Sequence, residues 1–296
     1  MIKNLKLLWD FGRPHTLIGS TLSITTLYLL ASGKFLAVQY LDTFFLTLVA
    51  ALACNVFITG LNQIVDVEMD KINKPFLPIA AGRLSIRSAY IIIYISLLIA
   101  ISLSFYIDVN LFIIIGIILL IGVAYSVPPF RLKKHHLPAS LSIVLVRGLL
   151  VNLGIGLFFE YHLYGIWRSG TVLIPLTIFM MAFSFAIAWF KDLYDVEGDE
   201  QFQVKTLAVL YSIPTAYVLG NTVVLLAYLF NVIYALYVDI DNAPILIWGH
   251  VVLLLAYVGL LIRSKVESRE RIYAFYMSIW VFFFLEYILY IYYAIQ

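Results

Sequence analysis

Two short segments gather half of the chain's aspartates. Asn62-Gln-Ile-Val-Asp66-Val-Glu-Met-Asp70 and Lys191-Asp192-Leu-Tyr-Asp195-Val-Glu-Gly-Asp199 hold five of the ten. Positions 62, 66 and 70 are each four apart, so at about 100° per residue they drift only about 80° around a helix and share a face. Glu68 points off that face. Asp192, Asp195 and Asp199 share a face in the same way, with Glu197 off it. Clustered carboxylates resist ionisation unless a cation compensates them, and a helix C-terminus disfavours them further. Their short, hard oxygens suit Mg²⁺, which takes one or two carboxylates, keeps waters and completes its shell with phosphate oxygens. Two such faces opposite one another would form a metal-bridged clamp for a diphosphate.

Fixed cations lie beside these acids. Lys74, Arg131, Lys133 and Lys191 make sense there if a phosphate lies between the two signs, although the ordinary bias of membrane loops also places Lys and Arg in such connections. Arg147 is different, because it lies about ten residues inside an apolar run, where an unpaired charge costs several kcal/mol. It serves a diphosphate, an acceptor's carboxylate or a structural pair. Glu286, also inside an apolar run, reads as a structural partner. His135 and His136 sit in a basic connection, while His15, His162 and His250 are isolated near run ends without metal-ligand spacing, and none is assigned a role. Most of the 21 Phe and 21 Tyr face lipid or its interface. A few would line a pocket and stabilise a carbocation, with Tyr125 and Tyr194 nearest the polar segments.

Composition dictates the elements that must position these groups. Hydrophobic residues make up 63% of 296 residues and charged residues 12%, at a mean hydropathy of +0.99. So few charges cannot cover a water-soluble domain of this size, whereas lipid removes the requirement. Cys54 is the single cysteine, which excludes an intramolecular disulfide. Nine runs have spanning length: 14–31, 41–65, 86–107, 110–127, 138–160, 172–191, 206–238 with a bend near Pro214, 243–263 and 272–294. On that count, sixteen of the nineteen Lys and Arg fall on the N-terminal side and only Lys34 and Arg168 on the other. The N-terminus is therefore expected in the cytoplasm. Chemistry is expected at the cytoplasmic mouth of the bundle. The first run is read as a retained helix rather than a cleaved signal.

These segments resemble the paired Asp-rich motifs of the UbiA superfamily of intramembrane prenyltransferases, and the resemblance extends over nearly the whole chain. It includes Arg13-Pro14-His15-Thr16, Asn73-Lys74-Pro75-Phe76-Leu77-Pro78 with Gly82, and Tyr125-Ser126-Val127-Pro128-Pro129 with Arg131 and Lys133. Within the superfamily the chain is most similar to the homogentisate branch, through NQIVDVEMDKINKPFLPIAAG, VRGLLVNLG at 146–154 and KDLYDVEGD. Leu77 also fits that branch, where many others carry Arg.

The resemblance implies an all-α bundle of nine transmembrane helices around a central cavity, with residues 1–296 as one membrane-embedded domain. Asn62, Asp66, Asp70, Asp192, Asp195 and Asp199 would bind Mg²⁺ and diphosphate. Lys74, Lys133 and Lys191 would neutralise phosphate charge, and Tyr125 with Ser126 would line the acceptor end. Arg13, Arg131 and Arg147 complete the expected substrate contacts. The implied partners are a prenyl diphosphate, a small aromatic acceptor and the bilayer; no nucleic acid is expected, and oligomeric state is left open. The expected location is a bacterial inner membrane or a thylakoid, since no plastid transit peptide precedes the first helix. Alternatives are the same transfer to 4-hydroxybenzoate, a naphthoate or chlorophyllide, or terpene cyclisation. Outside enzymes, the alternative is a secondary transporter, whose site would lie nearer the midplane on broken helices.

Overall fold

Long apolar runs in lipid must satisfy every backbone polar group internally, which leaves helices as the solution for this chain. The computed structural model describes residues 2–296 other than 37, 169 and 265, and side chains from residue 5 onward other than 34–37, 169 and 265. The side chains of Lys3, Lys34 and Lys265, which entered the charge reading, lie outside the described residues. Among the described residues no β-strand forms; one isolated bridge joins His135 to Lys205. Nine helices there are long and apolar enough to cross a membrane, as the hydropathy predicts. The chain folds as a polytopic, all-helical membrane protein.

A short helix α1 (Ile2–Phe11) leads into α2 (Pro14–Leu36). The next span, α3 (Leu41–Val65), is followed by a piece of about two turns, α4 (Val67–Asn73). Two hydrophobic helices follow, α5 (Ile86–Ile107) and α6 (Val109–Ser126). The Asp108 carboxylate accepts from Asn110 N at 2.6 Å and so starts α6 one residue before the expected boundary.

The fifth span is longer than 138–160 and is not uniformly α-helical. It comprises α7 (His136–Ile143), a π-helical stretch Val144–Gly154, and α8 (Ile155–Tyr164). Asn152 Nδ2 donates to Arg147 O at 2.8 Å and Gly148 O at 2.9 Å, so a side chain enters the helical ladder where the turn widens. Asn152 Oδ1 accepts from Tyr287 OH at 2.8 Å, which ties the widened turn to the last helix. π-turns are rare and concentrate at functional positions.

The sixth span, α9 (Leu173–Gln201), runs ten residues past the expected end at 191. Asp192, Leu193, Asp195, Gly198 and Asp199 are all buried, partly because α4 packs against α9. The polar motif is thus internal surface of a continuing helix rather than a solvated end. After it, α10 (Leu207–Leu210) and α11 (Ile213–Tyr237) replace the single bent run expected over 206–238. Ser212 Oγ caps the new helix from Thr215 N at 3.2 Å, and Pro214 sits in its first turn, where a missing N–H costs nothing. The chain ends with α12 (Ala243–Arg263) and α13 (Arg269–Ala294).

Helix α9 is the most enclosed span, with 67% of its apolar window buried. It packs against α11 and the π-helical stretch, while α13 packs against α2 and α3 against α5. Large apolar side chains such as Leu120, Leu226 and Ile262 face outward, as lipid allows. Polar side chains turn inward. Glu286 takes the structural place expected of it, with Oε1 2.9 Å from His250 Nε2 and 3.3 Å from Asn231 Nδ2, clamping α11, α12 and α13 together.

Candidate active site

The first acidic segment does not form one continuous helix. Asp66 adopts φ −106° and ψ 17° between α3 and α4, so the regular face expected through 62, 66 and 70 is broken at its middle residue. The three side chains still converge, because the kink keeps Asn62 Nδ2 within 2.9 Å of Asp66 Oδ2. The extended α9 brings Asp192, Asp195 and Asp199 to the same space.

A cavity of about 220 Å³ is lined by Arg13, Asn62, Asp66, Asp70, Lys74, Tyr125, Lys133, Arg147, Lys191, Asp192, Asp195 and Asp199. Each of these was predicted from sequence. Ser126 and Arg131 are not on its wall. Ser126 is fully buried behind Asn62, whose Nδ2 lies 3.4 Å from its Oγ. Arg131, in a left-handed turn with φ 37°, reaches Asp66 Oδ1 at 3.3 Å. Both act on cavity residues rather than on cavity space. Glu68 and Glu197 are exposed, paired with Lys71 at 2.7 Å and Arg269 at 3.1 Å.

The cations expected beside the acids are there, but they pair with the carboxylates directly instead of standing across a phosphate from them. Lys133 pairs with Asp66 and Lys74 with Asp195, while Lys191 Nζ lies 2.7 Å from Asp192 Oδ1. Arg13 Nη2 donates to Asn62 Oδ1 at 3.2 Å. Burial lowers the Lys133 ammonium to about 8 despite the opposing pull of Asp66. Burial also pulls on Lys74, but Asp195 and Asp70 outweigh it and hold that ammonium above its usual range. Asp70 is pushed up to about 6, chiefly by burial, with Lys74 and Arg13 pulling the other way.

Two carboxylates retain free capacity. Asp70 Oδ2 is buried without a hydrogen-bond partner, and the Asp199 side chain makes no hydrogen bond or ion pair among the described residues while lining the cavity. A buried carboxylate oxygen left unpaired is costly unless a cation completes it. Among the described residues no three His, Cys, Asp or Glu converge to cage an ion by themselves. That donor set fits Mg²⁺ held jointly by one or two carboxylates and a phosphorylated substrate, and it does not fit an all-protein cage.

Arg147 projects from the π-helical stretch into the cavity. Its guanidinium carbon is 4.8 Å from the Trp280 ring centroid and 5.8 Å from that of Phe283. No carboxylate pairs with it among the described residues. A second cavity of about 130 Å³, lined by Gly19, Ser20, Cys54, Ile115, Val151 and Tyr287 among others, lies on its other side. Ile58, Thr59, Val146 and Arg147 line both cavities, whereas the carboxylates line only the larger.

Sequence reasoning missed His15, Thr16, Thr206, Tyr276 and Trp280, which also line the larger cavity. His15 and Trp280 are 265 positions apart and meet only because α2 packs on α13. The one local signal is the four-residue spacing of Tyr276 and Trp280, and it is drowned in a helix rich in aromatics.

Gly198 joins the two acidic segments. Its N–H donates to Asn73 Oδ1 at 2.9 Å, and a Cβ there would meet that oxygen at 2.5 Å. Asn73 is buried and cannot swing clear. Gly198→Ala is therefore expected to destabilise by about 1–3 kcal/mol, the usual cost of overpacking, and to lower turnover by forcing α4 from α9. Thermal unfolding and turnover in detergent measure both; wild-type values for each would show that the segments separate freely.

Comparison with known proteins agrees with this architecture. The UbiA prenyltransferase family matches the chain over residues 20–285. Homogentisate phytyltransferase of Synechocystis sp. is 41% identical over 295 residues, spanning 95% of this chain and 93% of that protein. The chloroplastic homogentisate solanesyltransferase of Arabidopsis thaliana is 36% identical, spanning 95% and 75%. A UbiA homolog from Archaeoglobus fulgidus, solved bound to GPP and Mg²⁺, superposes with a TM-score of 0.62 at 15% identity, over 96% of this chain and 99% of that one. At that identity the likeness is one of fold.

Proposed function

The chain belongs to the UbiA prenyltransferase family, and from that membership we propose that it transfers a prenyl group from a Mg²⁺-bound prenyl diphosphate to homogentisate. The observation that carries this reading is the division of the cavity wall: carboxylates with lysines around one part, and an unpaired arginine stacked on Trp280 in another. The first part suits a metal-bound diphosphate and the second a small aromatic carboxylate. Relatives at 41% and 36% identity are named for homogentisate, which supports the same acceptor here.

In this reading Asp66, Asp70, Asp192, Asp195, Asp199 and Asn62 would hold Mg²⁺. When bound, the metal supplies charge stabilisation for the departing diphosphate. Lys74, Lys133, Lys191 and Arg13 exchange their present partners for phosphate oxygens, Arg131 and Ser126 steady Asp66 and Asn62 from behind, and Tyr125 borders the acceptor. The allylic C–O bond breaks with its electron pair going to diphosphate, and a ring carbon forms the new C–C bond. The side-chain carboxylate is lost as CO₂. The smaller, apolar cavity takes the first part of the prenyl chain and keeps water from the cation. We assign residues 1–296 to one membrane domain, with the N-terminus in the cytoplasm on the strength of the Lys and Arg asymmetry. The membrane is a bacterial inner membrane or a thylakoid, as the cyanobacterial and chloroplastic relatives suggest.

Purified protein with Mg²⁺ is to be incubated with geranylgeranyl, phytyl and solanesyl diphosphates, each with homogentisate or 4-hydroxybenzoate. A homogentisate-derived product lacking CO₂ is expected by mass. Product from 4-hydroxybenzoate alone sinks the acceptor assignment. Arg147→Ala should raise the homogentisate KM about ten- to a hundredfold, the worth of a charge-assisted contact of about 1.5–3 kcal/mol. The prenyl diphosphate KM should stay put. Methylhydroquinone, which lacks the carboxylate, should be used equally by both proteins; a variant that loses both acceptors alike would assign Arg147 another role.

A further inference from the structure

Loss of a proton from the acceptor ring needs a base, and the groups named so far do not supply one at the acceptor. The lysines of the larger cavity are each paired with a carboxylate, its guanidinium groups have no lone pair to offer, and the carboxylates are committed to the diphosphate seat. His15 stands apart from them. It occupies the first turn of α2 and lines the larger cavity with Arg147, Tyr276 and Trp280. Its ring centroid is 4.7 Å from that of Trp280 and 6.3 Å from that of Tyr276, the latter edge-on. Among the described residues, neither ring nitrogen has a hydrogen-bond partner. Neutral imidazole carries one lone-pair nitrogen, and here that nitrogen is left unengaged.

The backbone that carries the ring is held from behind. Pro14 sets the backbone entering α2, and the neighbouring Thr16 Oγ1 lies 3.0 Å from Gly12 O and 3.1 Å from Asn55 Oδ1. Asn55 Nδ2 in turn donates to Thr16 O at 3.1 Å. A ring carried on backbone fixed this way and packed against Trp280, with its nitrogens unspent and the cavity before it, is placed for contact with what the cavity holds.

We propose that the His15 imidazole is the base that removes the ring proton in the transfer step; this rests on the prenyl transfer to an aromatic acceptor described above. After the allylic C–O bond has broken toward diphosphate, a π pair of the ring forms the C–C bond and leaves an arenium cation. The imidazole nitrogen takes the proton from the attacked carbon, and the pair of that C–H bond restores aromaticity. The imidazolium then gives its proton to water at the cavity mouth. The count closes because the side-chain carbon takes up one proton when CO₂ leaves. The released diphosphate is the rival proton acceptor, and the experiment separates the two.

His15→Phe keeps a flat ring against Trp280 but removes both nitrogens, and His15→Ala opens room for added imidazole. Both variants, purified in detergent, are compared with wild type by size-exclusion profile, by acceptor Kd without prenyl diphosphate, and by turnover. A lost general base costs about 10²–10⁴ in rate, so kcat should fall at least about a hundredfold in each while the acceptor Kd and the elution profile hold. Added imidazole should restore His15→Ala about tenfold or more and leave His15→Phe unchanged. Wild-type kcat in His15→Phe would overturn the proposal in favour of diphosphate as the base. Absence of rescue, or a Kd that weakens in step with the rate, would equally overturn it and leave His15 a wedge or a binding contact. The wild-type arm reports on the acceptor alone. If wild type prenylates 4-hydroxybenzoate and not homogentisate, the proposed acceptor falls, and the His15 comparison run on the acceptor in use still decides the base.

Discussion

Asp66→Asn and Asp195→Asn are each expected to lower turnover at least about a hundredfold while Glu68→Ala and Glu197→Ala remain near wild type. Removing one preorganised group that meets developing charge typically costs about 10²–10³ in rate, and each of these aspartates anchors one of the two acidic segments. Asp66 is bonded to Lys133, Arg131 and Asn62, and Asp195 to Lys74. Alanine would leave a buried ammonium facing a void, so the isosteric amide better separates chemistry from folding. The two glutamates are exposed and paired outside the cavity. Turnover with a saturating diphosphate, beside the folded yield of each variant, checks the contrast. Equal inactivity of the glutamate and aspartate variants would remove the basis for assigning the clamp to these faces.

Chelation should abolish turnover without unfolding the protein. The diphosphate cannot approach five cavity carboxylates on the strength of lysines alone, because those lysines already neutralise Asp66, Asp192 and Asp195. The unpaired oxygen of Asp70 and the unpartnered Asp199 have no such relief. Yet the lysine pairs keep the fold's own charges balanced without metal. EDTA-treated protein is therefore expected to show no measurable product, to recover fully with Mg²⁺, and to keep its elution profile throughout. Undiminished turnover after exhaustive chelation would rule out the metal clamp. Loss of the folded peak on chelation would instead make the metal a structural support.

How far the sequence alone reached depends on whether the deciding interaction was local. The spans 41–65, 86–107 and 243–263 were legible to the residue because apolar length decides them, helped at 86–107 by the Ser85 cap. The end of α9 was not. Hydropathy stops at Phe190, but burial against α4 continues, so a polar stretch stays helical to Gln201. The break at Asp66 has no Pro or Gly to announce it. Sequence reading found twelve cavity residues: helical spacing gave Asn62 and the five aspartates, place beside the polar connections gave Lys74, Tyr125, Lys133 and Lys191, depth in an apolar run gave Arg147, and the family resemblance gave Arg13. It missed His15 and Trp280 because only the packing of the first span on the last brings them together, and it placed Ser126 and Arg131 on the cavity wall when each stands one layer behind.

The contact between Asn73 and Gly198 also bears on how such a protein can be altered by recombination. The two acidic segments lie on opposite sides of any crossover placed between residues 74 and 172, so a chimaera of two relatives would inherit them from different parents. Each half could carry every metal-facing carboxylate and still mate poorly, if one parent supplies a side chain where the other leaves only a hydrogen. The unit of inheritance is then the pair of seats together with the amide and the glycine that set their spacing, and specificity can be exchanged freely only in walls that lie outside that joint.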